Sequence, residues 1–164
     1  MSRFFSIAAL LFCLQTAFAL PADTTKRYIK VPAGYLMVLK MGDDVFAEIE
    51  KLARNENIPA ANLSGMGFVH AQFGFFDFKK KQYLPKDFKD VEMASMSGTV
   101  AWEGDKVSLH IHGVVTDRKF RAWGGHLLAA RVSTGSLEVL VTLHDRKLLR
   151  KMEDPPGANV LQLN

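Results

Sequence analysis

Two hydrophobic periods divide this chain. Val45, Ile49, Leu52 and Ala53 recur at helical spacing and predict a helix with one apolar face. Asp43 or Asp44 stands where its N-cap belongs, and Asn55 to Pro59 ends it. Elsewhere apolar positions alternate or are cut by glycine, which predicts strands. These run over Tyr28 to Val31 and Tyr35 to Met41 around a Pro32-Ala33-Gly34 bend, and through the glycine-punctuated stretch holding Phe68, Phe73, Phe75, Phe76 and Phe78. They continue at Val91 to Trp102, Lys106 to Thr116, Gly125 to Ser133 and Leu137 to His144. Lys79-Lys80-Lys81, Glu103-Gly104-Asp105 and Thr134-Gly135-Ser136 read as turns. Leu148 to Met152 predicts a short helix before Pro155-Pro156-Gly157, and the tail beyond is weakly specified. The pattern gives an α+β fold, a mainly antiparallel sheet with one main amphipathic helix. The phenylalanines are expected in its core or at a subunit seam, in preference to an aromatic ligand cage.

The N-terminus departs from this pattern. Arg3, the apolar run Ile7 to Leu14 and Ala17-Phe18-Ala19 have the layout of a cleavable signal peptide over residues 1–19, which predicts a secreted or periplasmic protein. That run is shorter than the ~20 residues of a membrane span, and no later segment qualifies, so no stable membrane insertion is expected. The sole cysteine, Cys13, falls inside the leader, so the mature chain is expected to have neither disulfide nor thiolate chemistry. Of 164 residues, the part beyond the leader fits one domain with an ordinary core. The formal net charge of +4 is mildly basic, and the one lysine run belongs to a turn, so no nucleic acid is expected as a partner.

Charge and composition leave the chemistry to three histidines. In Ser108-Leu109-His110-Ile111-His112-Gly113 the two imidazoles share one face of a strand, roughly 7 Å apart along it. Trp123-Gly124-Gly125-His126 returns a third, behind glycines that permit close backbone approach. Three neutral nitrogens with a free position suit a catalytic zinc site, where the ion can bring the pKa of water down to about 7. Iron, manganese or nickel fits the same donors. A packed or inter-subunit role for the histidines is the alternative. His70 and His144 lack this spacing and are expected to be a hydrogen-bonded strand residue and a surface residue.

Glu92-Met93-Ala94-Ser95-Met96-Ser97-Gly98-Thr99-Val100, then His110-Ile111-His112, then Gly124-Gly125-His126-Leu127-Leu128, resemble the plants-and-prokaryotes-conserved (PPC) domain in residues and order. Gly42-Asp43-Asp44-Val45 and Ile58-Pro59-Ala60-Ala61-Asn62-Leu63-Ser64-Gly65-Met66-Gly67 extend the likeness, which covers residues 28–145 and leaves 146–164 as a C-terminal extension. The resemblance implies a homotrimer, zinc on the histidine cluster in some prokaryotic members, no settled activity, and a fold similar to acetolactate decarboxylase. The spacing from His112 to His126 is this chain's own, so decarboxylation is not carried over. Plant relatives add an Arg-Gly-Arg-Pro hook for the DNA minor groove, and this sequence has none.

A catalytic site would also need a proton-transfer group. Glu92 and Glu138 are the candidates because each interrupts an apolar strand, with a salt bridge to Arg121 or Arg131 as the competing role. Arg118 and Arg121 could hold a substrate carboxylate or phosphate, against the default of solvated loop residues. Two functions remain. One is a zinc-dependent lyase or hydrolase acting on a small oxo- or carboxy-compound. The other is a non-catalytic trimeric binding or assembly module with structural or sensory metal.

Overall fold

The computed structural model describes residues 25–153 and 157–163. The leader, Cys13 and the Pro155-Pro156 pair lie outside that range. Strands dominate: β1 (Tyr28–Val31), β2 (Gly34–Lys40), β3 (Ala61–Asp77), β4 (Gln82–Glu103), β5 (Lys106–Thr116), β6 (Ala122–Leu143), β7 (Leu149–Glu153) and β8 (Ala158–Gln162). One helix, α1 (Val45–Asn55), interrupts them.

Helix α1 starts where its cap chemistry allows. The Asp44 carboxylate accepts the Ala47 N–H at 3.1 Å, satisfying a first-turn donor that has no carbonyl partner. Asp43 instead accepts the Lys40 N–H and pairs with Arg27. The predicted face, Val45, Ile49, Leu52 and Ala53, is buried, and the helix lies against β5 and β6.

All pairings are antiparallel except a parallel bridge between Trp102 of β4 and Leu149 of β7. Four long strands close on themselves: β3 bonds to β4 and β6, and β5 bonds to the same two. β1 and β2 extend the sheet beside β6, while β7 and β8 extend it beside β4. The core lies between this sheet and α1, with Met37, Leu39, Leu52, Met93, Leu137 and Val139 fully buried.

Several expectations are corrected here. Thr134-Gly135-Ser136 does not separate two strands, because β6 continues through it. Gly67 pairs with Leu137 and Val69 with Val132, so Phe68 of β3 faces an outward bulge of β6. The glycine supplies a positive φ of 60° there, as a turn would, but pairing to β3 on both sides keeps the strand's direction. Leu148 to Met152 is not a helix: β7 forms there and pairs with β8 from Leu149–Gln162 to Glu153–Ala158. The bridge to β4 and the hairpin partner supply the backbone bonds that local propensity left open. Among the phenylalanines, Phe73 is buried, whereas Phe75 is 74% and Phe78 72% exposed. Their strand ends, Phe75–Leu84 and Phe76–Tyr83, project beyond the region α1 covers. Lys79 and Lys80 form the expected turn, their N–H groups donating to Asp77.

Candidate metal centre

The histidine site follows from strand alternation. Ile111 is fully buried, which sends His110 and His112 to the opposite face of β5. On β6, His126 is the direct cross-strand partner of His112. Gly124 makes that approach possible: a Cβ there would lie 2.5 Å from the Gly113 carbonyl oxygen and 3.1 Å from Val114 Cγ2. Gly125 has φ +155°, a conformation that side-chain-bearing residues rarely adopt.

The three imidazoles form a near-equilateral triangle, with ring centroids 5.1, 5.1 and 5.2 Å apart. One ligand nitrogen from each lies within 4.8 Å of the others, and this is the group of possible metal donors among the described residues. His110 Nε2 and His112 Nε2 are 3.2 Å apart. Two nitrogens bound to one tetrahedral zinc at about 2.0 Å would be about 3.3 Å apart, so this edge fits an ion already. Small rotations of His126 would bring in the third donor.

The electrostatics suit neutral ligands. Burial, with the charges of His110 and His112 beside it, pushes the His126 pKa down to about 4. Burial also lowers that of His110, helped by Arg150 and His112. A neutral imidazole presents the lone pair a metal needs.

A cavity of about 770 Å³ opens beside the triangle, walled by Phe73, Phe76, Tyr83, Phe88 and Trp123. The Tyr83 ring stacks on His126 at 4.9 Å and 10°, which fixes the imidazole's plane. Tyr83 follows the Lys79-Lys80-Lys81 turn, and local sequence gives no sign of its role because its contact with His126 crosses from β4 to β6.

The other predicted site residues lie elsewhere. Glu92 is exposed on β4, opposite Phe68 and Thr116. Glu138 is exposed on β6 and borders a separate hollow with Ser64 and Met66. The arginines weighed as their partners are engaged by Asp117 and Asp44. Arg121 also covers the Trp123 ring, 5.1 Å from its centroid, and Arg118 is exposed in the same loop. None of these four lines the histidine cavity. His70 is a hydrogen-bonded strand residue, accepting the Asp90 N–H at 3.2 Å, and His144 is half-buried.

The model of the Plants and Prokaryotes Conserved (PCC) domain, the PPC domain of the sequence resemblance, matches residues 27–145. The chain belongs to this family. A crystal structure from Ralstonia eutropha JMP134, named as a candidate DNA-binding protein, is 50% identical with TM-score 0.82, covering 84% of this chain and 96% of its own. A metal-containing protein from Archaeoglobus fulgidus is 31% identical with TM-score 0.71, over 84% of this chain and 99% of its own. A plant- and prokaryote-conserved protein from Pyrococcus horikoshii shares the fold at 24% identity and TM-score 0.70, over 78% of this chain and 90% of its own. No curated protein matches the chain. No helix among the described residues is long and apolar enough to cross a membrane.

Proposed function

We propose that this PPC-domain protein holds one divalent ion, zinc by preference, on His110, His112 and His126, and acts on a small oxo- or carboxy-compound. The observation that carries the reading is the convergence of three imidazole nitrogens at the wall of an aromatic-lined cavity. A cavity of this size suits a small ligand. The Archaeoglobus relative's name as a metal-containing protein supports the same reading.

When bound, the ion supplies Lewis acidity toward a carbonyl or carboxyl oxygen. The chain's own residues do the rest. Tyr83 orients His126 by stacking, Ile111 anchors the strand between the two other ligands, and the phenylalanines and Trp123 exclude water from the cavity walls. Zinc is favoured because three imidazoles with an open position suit its tetrahedral preference.

The alternative is a non-catalytic trimeric binding or assembly module. It is favoured by one observation: among the described residues no carboxylate lines the cavity, which leaves Tyr83 and Lys86 as the titratable side chains beside the histidines. Trimer formation belongs to both readings, and the exposed Phe75, Phe78 and Phe120 are surface a second copy would cover. Sedimentation of the full mature chain tests it. Export through the 1–19 leader is also part of the reading, and the N-terminal residue of protein recovered from the producing cell tests that. DNA binding, the role in the Ralstonia protein's name, is left out because the charge is modest and the minor-groove hook is absent.

The deciding experiment is metal content by mass spectrometry on untagged protein, beside His110→Ala and His126→Ala. About one zinc per chain, lost in both folded variants, is the expected result. Wild type that stays metal-free after reconstitution with zinc refutes the proposal.

A further inference from the structure

Arg150 of β7 is 6% exposed, the one charged residue buried among the described residues. A buried guanidinium is costly unless an anion compensates it. Its Nη2 donates to the Thr99 hydroxyl and its Nη1 donates to the Asn159 carbonyl at 3.4 Å, both neutral acceptors. Its Nε is buried without any partner, and no carboxylate pairs with it among the described residues.

The position of this charge is informative. Thr99 is the cross-strand partner of His110, and such pairs project their side chains from the same face of a sheet. Arg150 therefore reaches the face that bears the metal ligands. A second cavity, of about 410 Å³, is lined by Arg150 and Asn159 together with His110 and His126. The Asn159 side-chain oxygen is likewise buried with no donor. Phe76, Phe78 and Tyr83 border both cavities, so the histidines stand between the two spaces.

We propose that Arg150 is the anion-binding residue of the histidine centre, taking the carboxylate of a small 2-oxo or 2-hydroxy acid whose neighbouring oxygen faces His110, His112 and His126. This deepens the functional reading given above and rests on it. A planar guanidinium with free N–H donors matches a carboxylate in geometry as well as charge. It also places the C-terminal hairpin β7–β8, which lies beyond the family match at residue 145, in the site. The arginines singled out from sequence, Arg118 and Arg121, are exposed and do not line this cavity.

The test is calorimetric titration of the zinc-loaded full chain with pyruvate and with hydroxyacetone, its uncharged counterpart, after zinc binding has been measured alone. Pyruvate should bind at least about tenfold more tightly than hydroxyacetone, and Arg150→Gln should abolish that preference while zinc stoichiometry persists. Arg150→Lys, keeping charge without the fork, should retain part of it. Equal binding of the two compounds by wild type overturns the proposal even if Arg150→Gln fails to fold, and so does a preference that survives in a folded Arg150→Gln. Inorganic phosphate binding tenfold more tightly than pyruvate would overturn the carboxylate assignment. Zinc bound without a preference for pyruvate sinks the anion site and spares the metal reading. Absence of zinc, with the preference present in the metal-free protein, removes the metal reading alone.

Discussion

Alanine at position 124 would test whether strand spacing controls the proposed metal site. The added Cβ would lie 2.5 Å from the Gly113 carbonyl oxygen, where ordinary contact begins at 3.4 Å, so about 0.9 Å must be recovered between β5 and β6. The nearest atom in the way is backbone, and it belongs to the pair Gly113–Gly125, next to His112–His126. Rotating the Val114 side chain, 3.1 Å away, leaves the clash with the Gly113 carbonyl oxygen in place. Metal–ligand distances tolerate only about 0.2 Å, so a shift of this size pulls His126 off the ligand triangle. Gly124→Ala should weaken zinc binding at least about tenfold and destabilise the metal-free fold by roughly 1–3 kcal/mol. Competition with a zinc chelator reads the affinity, and urea unfolding after metal removal reads the stability. Ala122→Ser, on the same strand, serves as the control. Wild-type affinity in Gly124→Ala, with unfolding unchanged, would refute the claim that close approach of these strands builds the site.

Two further outcomes follow from the same geometry. Ile111→Ala should cost about 2–5 kcal/mol in urea unfolding of the metal-free protein and Ile111→Val about 1, because the side chain is fully buried between two ligands; a loss below 1 kcal/mol for the alanine would contradict its packing role. The metal-free protein should also lose stability as pH falls. The His126 pKa is depressed to about 4, so between the unfolded value near 6.5 and that point the unfolded chain binds a proton that the folded chain refuses. Its stabilising effect is complete above pH 6.5 and is lost as pH drops through 4. His110 is shifted in the same direction, with Arg150 and His112 facing it, so His126→Gln should flatten the profile in part. Unfolding at pH 7.5, 5.5 and 4.5 checks this, and stability that is flat or rises toward acid would overturn the assignment.

Much of the fold was legible in the sequence because it depends on local periodicity. The face of α1, its aspartate cap, the β5 boundaries and the shared face of His110 and His112 need only the 3.6- and two-residue periods of helix and strand. Motif order added His126 and the family. Tertiary structure alone decided the rest. Whether Thr134-Gly135-Ser136 reverses the chain or bulges from it depends on β3, which pairs with both sides. The C-terminal segment is a hairpin because β4 offers it an edge, not because its residues demand one. Glu92 and Glu138 looked costly in apolar strands, yet both point to solvent, since an antiparallel sheet can leave one face wet. Tyr83 and Arg150 come from β4 and β7, positions 43 and 24 residues from His126 in the chain, and only the folded sheet stacks the first on His126 and sets the second in a cavity with it. A sequence specifies periods and turns, which are local; which side chains of distant strands meet over one cavity is set by sheet register.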